Sequence, residues 1–540
     1  MSSFRHRTTI AFALTAGLLA TSPAVANAPA VVAVPLAGAV ASALAGQDER
    51  LSLALLRQIY GARANSPAWV EGLGLSPRGE KALAALEQAS SHAIDPAGYH
   101  LPAIAKARHA AASGDAAAAA RLELLLSDGL VRHARDLAQG QIEPRVAQDD
   151  WTIKHPTFDG ATFLAEAMGS DDPGALAAAR APKSEAYGLL RQALTRYRAL
   201  AEAGGWPAIP DGPKLEPGME DERVPVLRRR LAATGELAYV ESKLYDEPLK
   251  AAIELFQIRH GLTPDAVIGH QTLASLNVPA ERRVAQIVAN LERWRWLPRE
   301  VEPTHISVNV AAASLKVIEN GVETMAMRVI AGDPKHHTPV IADVITAVTV
   351  NPAWHVPQSI AGKEILPQLR KNPNYLAANR MTVMGWDDAT LIDWHQVSTT
   401  AFPFRLRQNP GPDNSLGLLK FNLTNPLNIY LHDTPTRHLF ARDRRWLSHG
   451  CVRLQKPADL AQHLLGAKWT PERLNALVDA QETVTVGLPK PMPVYLLYWT
   501  AWVEADGSTH FRGDIYDRDS RLNEALSARR STRTLVAASP

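Results

Sequence analysis

The stretch Ser448-His449-Gly450-Cys451-Val452-Arg453 (SHGCVR) contains the only cysteine of this 540-residue chain. The residues 428–432 before it are predicted to form a strand that ends in His432, and 15 residues separate His432 from Ser448. A nucleophilic cysteine needs a nearby base, because a thiol with a pKa of about 8.5 is mostly protonated at neutral pH. It also needs donors for an oxyanion, which a glycine-containing turn supplies through its backbone N–H groups. Spacing makes Cys451 and His432 candidates for this chemistry.

The spacing does not exclude a purely structural role for Cys451 and His432. A single cysteine is often a small buried hydrophobe, and a histidine on a strand often serves only packing. His449 is a weaker candidate base, and as a neighbour of Cys451 on a turn it is expected to shape the pocket wall. A metal site is not expected, since one cysteine excludes multi-cysteine zinc sites and the chain has no His-Glu-x-x-His helix. A serine nucleophile would need a Gly-x-Ser-x-Gly elbow, which is also absent.

Around this motif the hydrophobic pattern has the period of two that is typical of strands. The dipeptides Asn320-Gly321 and Asp506-Gly507 predict hairpins. The predicted strands are 304–309, 314–318, 323–331, 343–350, 428–432, 483–488, 494–503 and 509–516. The sequence therefore predicts a β-rich domain over 304–488, followed by a C-terminal β-hairpin extension over 489–540.

A proline-rich insert, 362–417, interrupts this domain shortly before the strand that ends in His432. It is predicted to be loop-like at its ends and helical between Lys363 and Lys371, and its many polar residues argue against a core. An insert of this length suits a lid that keeps water from a site. A solvated excursion is the alternative. Because few apolar contacts would be lost, shortening the insert is expected to change thermal stability little.

The first half of the chain has a helical pattern instead. The segment 48–203 is predicted to be a helical scaffold domain, with one amphipathic helix over 116–139 that Gly140 ends. The Pro/Gly-rich segment 204–218 has the composition of a linker. A compact unit of three helices, 223–234, 247–260 and 269–276, is predicted over 219–279, and a further helix over 281–296.

The N-terminus has the pattern of an export signal. Arg5 and Arg7 precede an apolar run at 10–20, and Ala24-Val25-Ala26 predicts cleavage after Ala26, which makes 1–26 a signal peptide. No charged residue lies between Thr8 and Gln47, so an uncleaved stretch would instead tether the chain to a membrane. The net charge of +2 gives no basic surplus for nucleic acid, and 46% hydrophobic residues exclude a disordered chain.

His432, the 15-residue spacer and SHGCVR resemble the signature of the L,D-transpeptidase (YkuD-type) catalytic domain. The resemblance extends to four flanking motifs, Asn351-Pro352-x-Trp354-x-Val356-Pro357, Arg407-Gln408-x-Pro410-Gly411, Leu431-His432-Asp433-Thr434-Pro435 and Tyr498-Trp499-Thr500-Ala501-Trp502.

The three-helix unit resembles the small peptidoglycan-binding module through Phe256-Gln257, His260-Gly261-Leu262, Asp265 and Ile268-Gly269. Ala266 stands where that family usually has glycine, and alanine at a positive φ would cost on the order of 1 kcal/mol. With the helical region, the chain resembles a scaffold-containing murein L,D-transpeptidase of Gram-negative type. The implied fold class is multidomain α+β: a helical scaffold, a three-helix binding module and a β-rich catalytic domain with a helical and loop lid.

The resemblance implies roles for single residues. Cys451 would attack the carbonyl at the L-centre of diaminopimelate in a tetrapeptide stem and release D-Ala. His432 would take the thiol proton, and the Asp433 carbonyl would orient it. The N–H groups of Gly450 and Cys451, helped by Tyr430, would hold the oxyanion. A diaminopimelate amine would then resolve the acyl-enzyme into a 3→3 cross-link, and carbapenems would acylate the thiol. The residues implied to line the substrate site are Tyr430, Ser448, His449, Arg453 and Trp354, with Arg453 expected mainly to brace the turn.

Three other functions stay open. Water could resolve the same acyl-enzyme, which would make the protein an L,D-carboxypeptidase that trims tetrapeptides. A lysine amine could be the acceptor, which would attach an outer-membrane lipoprotein to the wall. The chain could also be a non-catalytic wall-binding protein. The expected partners are peptidoglycan stem peptides and glycan, with cell-wall synthesis enzymes as further candidates. No cofactor and no nucleic acid is expected, the expected compartment is the periplasm, and the expected role is in cell-wall biogenesis and cell shape.

Overall fold

The computed structural model of the protein describes residues 36–48 and 50–538. The predicted signal peptide, 1–26, lies outside the described residues. None of the helices in the described ranges is both long enough and apolar enough to cross a membrane.

Helices dominate the first region, and α5 forms its centre. Asp115 caps α5 by accepting hydrogen bonds from Ala117 N and Ala118 N, and the helix ends at Gly140, whose φ is +84°. Most of α5 is buried against its neighbours, so the helix predicted over 116–139 is confirmed. The elements are α1 (Leu36–Ala45), α2 (Leu53–Gly61), β1 (Val70–Glu71), β2 (Gly74–Leu75), α3 (Pro77–Glu87), α4 (Leu101–Ala112), α5 (Ala116–Gln139), α6 (Pro144–Ala147), α7 (Gly160–Gly169), α8 (Pro173–Ala178) and α9 (Glu185–Glu202).

The three-helix unit is also present, as α10 (Val224–Ala233), α11 (Glu247–His260) and α12 (His270–Leu276). Ala266 has a φ of +57°, and its N–H donates to Gln257 Oε1 at 2.9 Å, so alanine does occupy the left-handed position that suits glycine. The predicted linker 204–218 is not a free tether. Ile209 is buried and exchanges two hydrogen bonds with the Asn277 side chain, which fastens this segment to the module.

The helix α13 (Ala280–Trp296) leads into the β-rich domain. The strands of its sheet are β3 (His305–Asn309), β4 (Ser314–Glu319), β5 (Val322–Gly332), β6 (Ile341–Val350), β10 (Leu419–Asn422), β11 (Leu431–His432), β12 (Trp446–Ser448), β13 (Val452–Leu454) and β14 (Val484–Leu497), and α17 (Pro457–Leu465) and α18 (Pro471–Asp479) follow β13. The order of the strands is β12-β5-β13-β11-β10-β6-β14-β3-β4, and β4 also pairs with β5, so the sheet closes into a barrel around an apolar interior.

Three predicted strands differ from the observed ones. The strand predicted over 428–432 is shorter, because Asn428 has a φ of +56° and cannot continue an extended strand. The strands predicted over 483–488 and 494–503 are largely one strand, β14, whose irregularity between Gly487 and Met492 hides its continuity. The strand β14 continues across the predicted boundary at 488/489, because it pairs with β6 on both sides of it.

The insert 362–417 is more structured than the sequence suggests. A small sheet, β7 (Trp354–His355), β9 (Leu406–Gln408) and β8 (Met381–Val383), joins α14 (Gln358–Ile360), a π-helical turn at Ala361–Ile365, α15 (Leu366–Lys371) and α16 (Tyr375–Ala378). Leu366, Trp394, Phe402 and their neighbours form a separate apolar cluster. The expectation that few apolar contacts would be lost with the insert is therefore wrong.

The segment after β14 contains a hairpin and a long helix. The hairpin pairs β15 (Ala501–Val503) with β16 (Thr509–Phe511) around the predicted Asp506-Gly507 turn. The helix α19 (Arg518–Ala538) was not predicted, because its polar composition lacks a clear apolar stripe. The description of 489–540 as a β-hairpin extension is therefore incomplete.

Candidate functional site

The SHGCVR segment and His432 meet on two neighbouring strands. β11 and β13 are parallel, with Leu431 opposite Val452 and His432 opposite Arg453. The N–H of Val452 donates to the Tyr430 carbonyl at 3.1 Å, which extends the pairing by one residue. Because side chains alternate along a strand, Tyr430, His432, Cys451 and Arg453 share one face of the sheet. The structure thus brings together residues that the sequence places 19 to 23 positions apart.

The turn before Cys451 is held by buried hydrogen bonds. Gly450 has a φ of +109°, which a residue with a Cβ rarely adopts. Its carbonyl accepts from Thr338 Oγ1 at 2.8 Å, and Thr338 Oγ1 accepts in turn from Gly332 N at 2.9 Å. Ser448 Oγ donates to the Cys451 carbonyl at 2.5 Å and accepts from Gly450 N at 3.2 Å. The Gly450 N–H, expected to hold an oxyanion, therefore already has a partner.

His432 is buried, and its ring is oriented by backbone. Nδ1 lies 2.5 Å from the Asp433 carbonyl oxygen, so Nδ1 carries the proton and Nε2 is the acceptor. Burial, followed by the charge of Arg453, lowers the pKa of His432 to about 3. The imidazole is therefore neutral at neutral pH. The Asp433 carboxylate has another role, since it accepts from Leu418 N at 3.0 Å and from Arg437 at 2.8 Å.

Cys451 lies half-buried at the edge of the same face. Burial raises the pKa of its thiol, and hydrogen bonds from Tyr430 and the charges of Lys420 and Arg453 act in the opposite direction. Together with the lowered pKa of His432, this favours a neutral thiol beside a neutral imidazole over a thiolate–imidazolium pair. Among the described residues, the Cys451 N–H has no hydrogen-bond partner, so it is available to an incoming oxygen.

Lys420 is a site residue that the sequence analysis missed. It lies on β10 opposite His432, and its Nζ lies 4.4 Å from the centre of the Tyr430 ring. The Tyr430 hydroxyl contacts both the Cys451 thiol and Trp354, and burial raises the pKa of that hydroxyl. The alternation in β10, with Leu419 and Phe421 buried, was the signal that could have placed Lys420 on the opposite face.

His449 contacts the insert, and Arg453 contributes a positive charge beside Cys451. His449 Nε2 lies 2.6 Å from Glu364 Oε1, in the π-helical turn of the insert, so the two segments are joined directly beside Cys451. Arg453 Nε is buried without a hydrogen-bond partner in the described part of the chain, so the expected bracing bond is not made by that atom. Arg453 acts on the site through its charge. Within the described ranges, no cluster of three His, Cys, Asp or Glu residues is arranged to hold a metal ion.

Comparisons with known proteins match three segments of the chain to described families. Residues 303–487 match the family of the L,D-transpeptidase catalytic domain, residues 54–194 match the Scaffold domain, and residues 220–276 match a peptidoglycan binding domain whose description is provisional. A Haemophilus influenzae protein with a provisional L,D-transpeptidase name is 34% identical over 282 residues, which are 50% of this chain and 57% of the relative. The match thus spans little more than half of that relative's length.

Two solved structures are also similar. An L,D-transpeptidase from Xylanimonas cellulosilytica is 16% identical, with a TM-score of 0.18, and the match covers 53% of this chain and 99% of the other. L,D-transpeptidase 3 from Mycobacterium tuberculosis is 13% identical, with a TM-score of 0.19, and the match covers 36% of this chain and 61% of the other. The predicted fold class, with a helical first region, a peptidoglycan-binding module and a β-rich catalytic domain, is confirmed.

Proposed function

We propose that this chain, which carries an L,D-transpeptidase catalytic domain beside a scaffold domain and a peptidoglycan-binding domain, forms 3→3 cross-links between peptidoglycan stem peptides through a thioester on Cys451. The observation that carries the proposal is the pairing of β11 with β13. It puts His432, oriented by the Asp433 carbonyl, on the same face as the thiol.

The first half-reaction makes the thioester. When a tetrapeptide stem binds, His432 Nε2 accepts the thiol proton, and the Cys451 sulfur attacks the carbonyl carbon at the L-centre of diaminopimelate. The carbonyl electrons move to oxygen, where the Cys451 N–H and the Tyr430 hydroxyl are donors within reach of the sulfur. When the C–N bond breaks, His432 returns its proton to the nitrogen of the leaving D-Ala.

The second half-reaction reverses these steps with another amine. The side-chain amine of a second diaminopimelate attacks the thioester carbonyl and gives a proton to His432. The C–S bond then breaks, and the sulfur recovers the proton. No ATP is consumed, because the peptide bond broken in the first half-reaction supplies the energy of the new one.

Two cations compensate the charge that develops on sulfur. Lys420 and Arg453 both lower the pKa of the Cys451 thiol, against the effect of its burial. A resting neutral thiol is less open to oxidation than a thiolate. The two charges then favour ionisation when His432 accepts the proton. Activation by a base, rather than a preformed ion pair, is therefore the mechanism that these surroundings support.

The insert 362–417 serves as a lid in this proposal. The Glu364–His449 contact of 2.6 Å joins the lid to the residue two positions before Cys451. A lid in this position limits the access of water to the thioester until an amine arrives. Hydrolysis of the thioester by water, which is the L,D-carboxypeptidase reaction, uses the same residues. The experiment must therefore distinguish hydrolysis from cross-linking. Since the substrate is peptidoglycan, we place the protein in the periplasm, in agreement with the signal pattern at 1–26.

The test is a muropeptide digest after expression of the full chain in a host that lacks such enzymes. New 3→3 dimers support the proposal, whereas shortened stems without dimers indicate a carboxypeptidase. Cys451→Ser is the matched variant, since a hydroxyl is nearly isosteric but a far weaker nucleophile beside one histidine. Dimers at the wild-type level in that variant would exclude Cys451 as the nucleophile. Intact-protein mass spectrometry with a carbapenem should give an adduct on the wild type and none on Cys451→Ala.

A further inference from the structure

A pocket lies beside the residues that directly precede the SHGCVR segment. It has a volume of about 360 Å³ and is lined by Pro334, Arg442, Arg444, Trp446, Leu447 and Ile515. Trp446 and Leu447 belong to β12, which ends at Ser448, directly before the turn to Cys451. The strand that carries the turn therefore also lines the pocket.

The loop that carries the two arginines is fixed from within. Arg445, between Arg444 and Trp446, donates to the carbonyls of Arg442 at 2.8 Å and Asp443 at 3.4 Å, and to two carbonyls before β4. The Trp446 indole N–H donates to the Val310 carbonyl at 2.8 Å. Arg445 and Trp446 thus tie the loop to the barrel, and the loop can present Arg442 and Arg444 in a stable arrangement.

These two arginines lack internal counter-charges. Both are exposed, and neither guanidinium makes a hydrogen bond or an ion pair to any described residue. The nearby carboxylates bind other groups. Asp443 accepts from Thr263 Oγ1 of the three-helix module at 2.6 Å, Asp333 accepts from the N–H groups of Lys335 and His336, and Asp514 accepts from Tyr498 and three backbone N–H groups. Arg442 and Arg444 are therefore the charged residues that line the pocket, and its other lining residues are apolar.

We infer that the pocket between Arg442 and Arg444 binds a carboxylate of a peptidoglycan stem peptide whose reacting centre lies at Cys451. The inference rests on the proposed function for the identity of the ligand. Stem peptides are short anionic chains with aliphatic side chains, and a guanidinium recognises a carboxylate through two parallel hydrogen bonds. Trp446, Leu447 and Ile515 supply the apolar surface for the aliphatic part. The stem is either the donor or the acceptor, which share this chemistry.

Binding is measured first, without turnover, on the full chain carrying Cys451→Ala. The probes are a tetrapeptide stem with free carboxylates and the same stem with its carboxylates amidated. We expect the free stem to bind about tenfold more tightly, as for a charge-assisted hydrogen bond. Adding Arg442→Gln and Arg444→Gln should remove this difference. The matched control adds Arg282→Gln and Arg521→Gln, two exposed arginines on α13 and α19, and should keep it.

Kinetics then distinguish the two stems. In the protein with Cys451, amidation of the donor alone should slow thioester formation if the pocket holds the donor. Amidation of the acceptor alone should lower dimer yield at an unchanged rate of thioester formation if the pocket holds the acceptor. Alkylation of Cys451 by neutral iodoacetamide should be the same in all variants, which shows that the turn is intact.

Three results would overturn the inference: equal binding of free and amidated stems to the Cys451→Ala protein, a persisting difference in the arginine variant, or a difference lost equally in the control. Failure of the proposed function is seen separately. If the Cys451→Ser variant kept its cross-linking activity, Cys451 would not be the nucleophile. The binding comparison would still show whether Arg442 and Arg444 select a carboxylate.

Discussion

Thr338→Val removes the hydroxyl that holds the turn before Cys451, at nearly constant side-chain volume. Thr338 is fully buried, and its Oγ1 joins Gly332 N to the Gly450 carbonyl. Valine leaves both backbone groups buried without that partner, at about 1–3 kcal/mol each, or roughly 2–6 kcal/mol of unfolding free energy together. Thr338→Ser keeps the hydroxyl and loses one buried methyl group, which costs only about 1 kcal/mol.

Two measurements on wild type, Thr338→Ser and Thr338→Val test this reasoning. At about 2–4 °C per kcal/mol, the valine variant should unfold about 4–24 °C lower, and the serine variant about 2–4 °C lower. Acylation of Cys451 by a carbapenem, measured by mass spectrometry, should also be slower in the valine variant. Each 1.4 kcal/mol by which the displaced turn raises the activation free energy of acylation slows the reaction about tenfold. If valine and serine behaved alike in both measurements, the hydroxyl would not position the turn.

Further predictions concern charge. The rate of alkylation of Cys451 by iodoacetamide should keep rising above pH 8.5, because its pKa is raised; a plateau below pH 7 would indicate a preformed ion pair. Lys420→Met should move that profile to still higher pH, and an unmoved profile would exclude the lysine as an electrostatic partner of the thiol. The pKa of His432 is about 3 in the folded chain and about 6.5 unfolded, so the unfolded chain binds more protons between these values. Stability should therefore fall as pH drops from 6.5 towards 3, and urea titrations should show a smaller fall in His432→Gln. Glu364→Gln should raise hydrolysis relative to cross-linking by up to about fivefold, as for the loss of one hydrogen bond worth about 1 kcal/mol, whereas Glu319→Gln, in another His–Glu contact of the same domain, should leave the ratio unchanged.

The hydrophobic period of the sequence identified several of the longer regular elements. Helices α5, α10, α11 and α13 and strands β3 to β6 lie within a few residues of their predicted bounds, because each buries one face and repeats every 3.6 or two residues. The helix α19 and the continuous β14 were missed. The first has a weak apolar stripe, and the second is interrupted by an irregularity that only its pairing with β6 bridges.

The candidate nucleophile and base could be chosen from the sequence alone, because the turn and the end of a strand impose local requirements on residue type. Gly450, next to Cys451, has a φ of +109°, and the ring of His432 donates to the carbonyl of the next residue, Asp433. Both features involve residues that are neighbours in the sequence. Other features of the site come from distant segments: Thr338 below the turn, Glu364 in the insert, and Lys420 on β10. Their positions depend on which strands pair and on where the insert packs, and local periodicity does not encode pairing between distant segments. The tertiary structure therefore decided the surroundings of the thiol, including the cations beside it, the partner of the Gly450 N–H and the contact that joins the lid to His449.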